Sequence, residues 1–346
     1  LIVADTLDAA SMRQLAERAR VVLTTVGPYA RYGSEVVAAC AESGTHYCDL
    51  AGEVQWIRRM IDAHNDTARR SGARIVHCCG FDSIPMDIGA WFLQNEANQR
   101  YGAYCDSIVL LVKAMKGGAS GGTMASMMNL MREARADREV ASVLARPYSL
   151  NPEGEQRGPD RGDQRGIRFD AEAQSWTAPF IMAAVNTRVV RRSHALLGYP
   201  WGAEFRYHEA IRTGRGPGGW IRSAMITAGL AGLVGLASFE WSRSLLERFV
   251  LPKPGTGPDA NARRHGFFNL QQFGKLPDGR HIRSRITGDR DPGYGSTSKM
   301  LAESAVCLAL DDLDSVGGVL TPASAMAAPL LARLRANAGL RFEIRD

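Results

Sequence analysis

The sequence predicts an α/β protein: an incomplete parallel sheet flanked by helices, followed by a second, mixed α+β region. Three observations predict it. Over roughly the first 95 residues, short apolar runs alternate with segments of helical periodicity, the pattern of parallel strands covered on both faces. From about Ala103 the rhythm changes to longer extended runs, a hairpin pattern and a Met-rich helix. The length, 346 residues, exceeds what one hydrophobic core usually fills, so about two domains are expected.

The elements follow in order. Leu1 to Ala4 reads as a buried strand ending at the acid Asp5, and a chain that opens on such a strand is expected to lack the strands before it. Asp8 to Ala19 is helical, with Leu7, Met12, Leu15 and Ala19 near helical spacing. Strands are expected at Val21 to Val26, His46 to Leu50 and Arg74 to Cys78, and helices at Glu35 to Glu42 and Val54 to Arg70. Gly44 and Gly72 stand where a helix needs a left-handed residue to stop. Beyond them come the extended run Ser107 to Met115, a glycine-rich turn and a helix from about Thr123 to Arg135. Arg146 to Gly166 is polar and proline-bearing, so a mobile surface loop is expected.

Phe267 to Phe273 and His281 to Thr287 pair as a hairpin through Pro277-Asp278-Gly279, with Ile282 and Ile286 on one face and Arg283 and Arg285 on the other. The helix Thr297 to Leu310 carries an apolar stripe of Met300, Leu301, Ala305 and Leu308, suited to packing back onto the first region. The division expected is residues 1–102, 103–292 and a return segment, 293–346.

Composition narrows the class. Hydrophobic residues make up 45% and charged residues 23%, which suits an ordinary folded protein. The net charge of +6 is spread through the chain and mixed with acids, and no nucleic-acid motif accompanies it, so no nucleic-acid partner is expected. Six cysteines sit mostly inside apolar runs and read as reduced core residues. The vicinal pair Cys78 and Cys79 has no CxxC or His cluster to complete it, and no metal site is read.

Three loops carry the chemistry-bearing residues. Thr24-Thr25-Val26-Gly27-Pro28-Tyr29 follows an apolar strand, at the place where open parallel sheets bind ligands. A plain strand-to-helix turn explains the Gly-Pro pair equally well. His46-Tyr47-Cys48-Asp49-Leu50-Ala51-Gly52-Glu53 puts two carboxylates at the next strand end, where Glu53 either acts in a proton relay or interacts favourably with a helix amino terminus. Cys79-Gly80-Phe81-Asp82-Ser83-Ile84-Pro85 follows the third strand, with Asp82 or Ser83 as site residue or helix cap. All three fall on one edge of the expected sheet.

These segments in this order, with Gly118-Ala119-Ser120-Gly121-Gly122-Thr123, Gly293-Tyr294-Gly295-Ser296-Thr297-Ser298-Lys299-Met300 and Gly318-Val319-Leu320-Thr321-Pro322-Ala323, resemble the saccharopine dehydrogenase-like oxidoreductases. The likeness spans nearly the whole chain and is nearest the actinobacterial branch that includes the trans-acting enoyl reductases of mycobacterial lipid synthesis. It implies a Rossmann domain followed by a mixed α+β domain, and a cofactor, NAD or NADP, with NADP put first. Family members open with a GATGFTG-type loop that would hold the pyrophosphate. That loop would lie upstream of Leu1, so this chain is expected to bind dinucleotide poorly. By resemblance, Asp5 lies near the adenine, the Gly27 to Tyr29 turn near ribose and nicotinamide, and Asp49, Gly52 and Glu53 line the substrate side; the cofactor-binding candidates are Asp5, Thr25, Gly27, Pro28, Tyr29, Asp49, Gly52 and Asp82.

Enoyl reduction needs hydride at the β-carbon and a donor to protonate the α-carbon. Tyr29, Lys299 and Tyr294 have the chemistry and are the catalytic candidates. The resemblance implies a lipid or acyl-thioester substrate of phthiocerol type and a polyketide synthase partner. The uncharged stretch Ser223 to Phe239 is open to three readings, taken in this order: a buried core helix, an interfacial helix and a membrane span. The second would place a cytoplasmic protein on the inner face of the plasma membrane, and the small residues of the stretch also permit a homodimer contact. Two other functions stay open: a membrane-associated partner protein of the same fold without turnover, and a saccharopine-like amino-acid dehydrogenase whose carboxylate clamp would be Arg188, Arg191 and Arg192. That arginine run otherwise reads as a solvated helix face.

Overall fold

A computed structural model describes residues 2–117, 121–237 and 257–345. The chain builds two sheets. The first holds β1 (Val21–Leu23), β2 (His46–Cys48), β3 (Arg74–Val76) and β10 (Gly318–Leu320) in the order β1-β2-β3-β10, every neighbouring pair parallel. The second holds β4 (Ser107–Lys116), β5 (Arg168–Asp170), β6 (Ser175–Pro179), β7 (Arg206–Gly214), β8 (Phe267–Lys275), β9 (His281–Gly288) and β11 (Leu340–Arg345) in the order β11-β9-β8-β4-β7-β6-β5. Only β4 and β7 run parallel in it, so it is mixed.

Local pattern accounts for much of this. The strands of the first sheet are short because each apolar run turns polar within three residues and leaves the sheet as a loop. Their helices stop where glycine supplies the left-handed backbone: Gly44 at φ 75° and Gly72 at φ 82°. The hairpin β8–β9 puts Ile282 and Ile286 into the core and leaves Arg283 and Arg285 outside. The helix Thr297–Leu310 buries Met300, Leu301 and Leu308 and lies against β1 and β2. From there the chain divides, β10 completing the parallel sheet and β11 pairing with β9.

One helix serves both sheets. Ile84–Tyr101 starts in the loop after β3, yet Phe92 meets Phe342 of β11 edge to face at 5.9 Å. A Cβ at Gly89 would lie 2.4 Å from the tip of the Ile286 side chain, so the glycine lets that side chain pack directly on the helix backbone. The apolar core accordingly runs unbroken from Cys48 and Val76 to Leu270 and Ile286.

Four expectations are corrected. Ile2 to Ala4 is not a buried strand: Val3 is 93% exposed and no strand pairs with the segment among the described residues. An isolated extended run cannot satisfy its backbone through a ladder. Instead Asp5 forms a turn, accepting from the Leu7 N–H at 2.9 Å.

The stretch 146–166 is not a simple surface loop. Tyr148, Leu150 and Asp160 are buried, and Arg58 donates to the carbonyls of Ser149 at 3.2 Å and Asn151 at 2.9 Å. The arginines of helix Ala183–Leu196 are likewise neither a solvated face nor an open clamp. Arg188 pairs with Asp163 at 2.9 Å and Arg191 with Asp160 at 2.7 Å, while Arg192 donates to the carbonyls of Leu150 and Val319. All three are buried, and burial lowers the Arg192 pKa to about 9.

The apolar stretch, finally, is not a core helix. Gly216–Ala237 is helical, but only Gly219, Ser223 and Ala237 on it are buried. Ser238 and Phe239 lie outside the described residues.

Candidate active site

The loops that follow β1, β2 and β3 meet at the carboxyl rim of the parallel sheet, because parallel strands deliver their ends to one side. The Tyr29 hydroxyl sits between the first two loops, donating to the Thr24 carbonyl and accepting from the Leu50 N–H, each at 3.2 Å. Its ring is buried and stacks on Trp56 at 5.6 Å. Burial first, and the nearby Asp49 charge second, push the phenol well above its ordinary range.

Asp49 ties the second loop to the third. Its Oδ1 accepts from the N–H groups of Ala51 at 2.9 Å and Cys78 at 3.1 Å, and its Oδ2 accepts from the Tyr47 hydroxyl at 2.9 Å. The same Oδ2 lies 2.7 Å from His77 Nδ1. Both residues are buried, and among the described residues His77 Nε2 has no hydrogen-bond partner. A carboxylate so enclosed ties the loops of the rim together, and the Asp49 side chain is turned away from the open surface. Cys78 holds a left-handed backbone at φ 65°, a cost that its N–H bond to Asp49 and its thiol bond to the Ala51 carbonyl at 2.9 Å offset.

Glu53 is the third fixed point. Its carboxylate accepts from the backbone N–H groups of Tyr29 at 2.8 Å and Ala30 at 3.0 Å, and from the Ser126 hydroxyl at 2.8 Å. It therefore caps the short helix Tyr29–Tyr32 and makes no side-chain cap to its own helix, Val54–Ser71. Burial raises its pKa against the opposing pull of these three donors.

What remains open at the rim is a smaller set. Thr25, Val26 and Gly27 are exposed, and a Cβ at Gly27 would meet nothing nearer than the Tyr29 ring at 3.6 Å. Pro28 and Gly52 are half-buried, and the space beside Gly52 is open up to Val185 at 3.9 Å. Asp82 is half-buried in the third loop, and burial raises its carboxyl pKa to about 6. Asp5 is exposed and bonds within its own turn.

Tyr294 and Lys299 belong to the segment that docks on the third loop through Thr297, whose hydroxyl accepts from the Phe81 N–H at 3.0 Å. Lys299 is 3.4 Å from Asp289, and Tyr294 sits half-buried in the π-helical turn Pro292–Ser296. The structure thus gathers Thr25, Gly27, Pro28, Tyr29, Asp49, Gly52 and Asp82 at one rim, with Tyr294 and Lys299 on the segment beside it. Asp5 makes no hydrogen bond to any of these.

His77, Trp56 and Ser126 escape sequence reasoning. Only His77 carries a signal, a polar residue ending the apolar run Ile75-Val76. A cavity of about 790 Å³ lies away from the rim, along the outer edge of β10, between Arg58, Asn65, Arg69 and Arg192. Arg58, Asn65 and Arg192 in its lining bond to carbonyls, to Asp62 and to the Val319 N–H, and so hold the fold together.

A parallel sheet with this loop rim, packed on a mixed sheet through a shared helix, defines a saccharopine dehydrogenase-like oxidoreductase fold. The solved structure of apo saccharopine dehydrogenase (L-Glu forming) from Saccharomyces cerevisiae superposes with a TM-score of 0.52, covering 99% of this chain and 88% of that one at 12% identity, a likeness of fold. No protein-family model matches the chain. A trans-acting enoyl reductase of Mycobacterium ulcerans (strain Agy99) is 41% identical over 347 residues, 96% of this chain and 82% of the relative. A trans-acting enoyl reductase of Mycobacterium tuberculosis (strain H37Rv) is 40% identical over 349 residues, with the same coverage of 96% and 82%. The chain belongs to the trans-acting enoyl reductase family of oxidoreductases.

Proposed function

We propose that the protein is an NAD(P)H-dependent enoyl reductase acting on an acyl or polyketide-derived lipid intermediate delivered as a thioester. The observation that carries this reading is the shared rim: three loops of a parallel sheet, locked to each other by Asp49, Tyr29 and Glu53, leave Thr25 to Gly27 exposed and Pro28, Gly52 and Asp82 half-buried beside them. The open backbone at Thr25 to Gly27 suits a flat dinucleotide, and Thr25, Gly27 and Pro28 are the residues that would hold it. The hydride added to the β-carbon is what a reduced nicotinamide supplies when bound.

The chain's own task is to place the substrate and move one proton. In the balanced reaction the carbon–carbon π bond breaks, hydride forms the β C–H bond and a proton forms the α C–H bond. Tyr29 suits the donor role poorly, since its hydroxyl is buried and engaged on both sides. We assign that role to Asp82, which stands half-buried in the third loop of the rim beside the docked Thr297 segment, where burial raises its carboxyl pKa to about 6 and keeps a protonated fraction near neutrality. The amino-acid dehydrogenase reading loses its support, because the arginines it would need are buried, Arg188 and Arg191 paired with acids and Arg192 bonded to backbone carbonyls. A polyketide synthase as the partner that presents the thioester fits the relatives' description as trans-acting.

The test is to mix purified protein with NADH or NADPH and a series of enoyl thioesters of rising chain length, following loss of the reduced nicotinamide and formation of the saturated product. Turnover with one cofactor, improving with chain length, is expected. Binding of dinucleotide without turnover on any enoyl thioester would overturn the reading.

A further inference from the structure

We propose that helix Gly216–Ala237 docks the protein on an anionic lipid surface, lying along the protein and dipping its outer face into the acyl layer. The helix is apolar enough and, at 22 residues, long enough to cross a membrane, yet only 11% of its most apolar window is buried. Trp220, Ile221, Met225 and Leu236 are 46%, 52%, 67% and 47% exposed. At 100° per residue Ile221, Met225 and Leu236 fall within about 60° of one another and Trp220 about 100° away from Ile221, so these exposed large side chains share one side of the helix. A core helix would hide such residues, and a water-facing helix would not carry them.

Attachment at both ends decides how it meets lipid. At its start Gly219 lies so close to β7 that a Cβ would stand 2.2 Å from the Gly214 carbonyl, and Ser223 bonds Thr213 at 2.7 Å. At its end Ala237 and Leu233 pack on Met127, Met128 and Met131 of the helix Gly121–Ala136. Pinned at both ends, the helix runs in the plane of a surface and does not cross a bilayer. The Met-bearing helix also holds Ser126, the residue bonded to Glu53, so the lipid-facing element adjoins the rim.

Charge selects the occupant. From Arg212 to Ala237 the charged residues are Arg212, Arg215 and Arg222, with no acid among them; Arg212 is half-buried and bonded to Gln271 and the Ala173 carbonyl, so the exposed Arg215 and Arg222 carry the fringe. Exposed Lys116 lies beside them at the same end of the second sheet, in register with half-exposed Phe267. A two-fold contact with a second copy would set this basic fringe against itself. Anionic headgroups neutralise it, each basic residue being worth roughly fivefold in binding near such a surface. The inference rests on exposure and charge and involves no reaction, so it stands or falls separately from the enoyl reductase reading.

Flotation of the full chain with vesicles of phosphatidylcholine alone, or with a quarter phosphatidylglycerol, tests it. Binding to the anionic vesicles, weakened by salt, is expected. A paired substitution at exposed sites, Ile221→Glu with Met225→Glu, should lower the partition about a hundredfold, because two buried apolar side chains are lost. Arg222→Glu should weaken binding to anionic vesicles only. Thermal melting of each variant shows whether the fold survives. Absence of wild-type binding overturns the proposal, as does equal binding by the folded paired variant. So does a wild-type dimer in solution that the paired variant splits while vesicle binding is absent, which would assign the face to a second copy.

Discussion

The Glu53 carboxylate reaches back across the rim to accept the Tyr29 backbone N–H at 2.8 Å and the Ala30 N–H at 3.0 Å, joining the second loop to the helix that opens after the first. Replacing it leaves the Tyr29 and Ala30 N–H groups without an acceptor, and the Ser126 hydroxyl must rotate to another. Glu53→Ala is expected to cost about 2–4 kcal/mol, a sum over two unsatisfied groups. Glu53→Gln keeps one acceptor oxygen and should lose less. Thermal unfolding of both variants measures the difference, and equal stability would show that the cap contributes nothing.

Asp49 and His77 form a pair buried under Trp56, whose ring meets the histidine edge to face at 4.9 Å. Asp49→Ala strips the acceptor from the Ala51 and Cys78 N–H groups as well as from the histidine, so a loss of about 3–5 kcal/mol is expected. Asp49→Asn, which keeps one oxygen, should fall between this variant and the wild type. Denaturant titration gives the ordering.

Asp82→Asn should leave the melting temperature unchanged or slightly raised, because the burial that lifts its pKa to about 6 penalises the carboxylate form. Reductase activity should fall by about a hundredfold or more, the usual worth of a positioned acid. For the wild type, kcat/KM should decline as pH rises through about 6, since the proton donor is then lost. A variant with full activity would transfer the proton role elsewhere.

Stability should depend on pH with an unusual sign. Burial raises Asp87 to about 7 and Glu209 to about 8, while Ser193 and Ala323 bond the first and Asn186 and Tyr207 the second. An acid whose folded pKa is raised binds its proton more tightly when folded. Its contribution is therefore present below the unfolded carboxyl pKa and is lost as pH rises through the folded value. Melting temperature is expected to drop from about pH 4.5 to 8, at up to about 1.4 kcal/mol per pH unit for each titrating group. Glu209→Gln should flatten the upper part of that slope, and a melting curve series across pH tests both statements.

Legibility in the sequence followed the distance over which each feature is decided. The helix Thr297–Leu310 and the hairpin β8–β9 are set by neighbours a few residues apart, so periodicity and a Pro-Asp-Gly turn suffice. Arg188 and Arg191 answer to Asp163 and Asp160, 25 and 31 positions away in the chain, and no local pattern distinguishes a buried ion pair from a solvated face. Glu53 shows the same limit in finer form. An acid at a helix amino terminus was legible, but the helix it caps begins 24 residues earlier.

By itself, then, the sequence determined the alternation of strands and helices, the three polar loops and their delivery to one rim, because strand direction and side-chain period are local properties of the backbone. Tertiary structure alone decided which rim residues are sealed and which are open. It enclosed Asp49 and the Tyr29 hydroxyl, left Thr25 exposed and Asp82 half-buried, and kept the apolar helix at the surface. The physical reason is that burial depends on what packs over a residue, and here those covering groups come from segments as distant as Ser126 and Thr297.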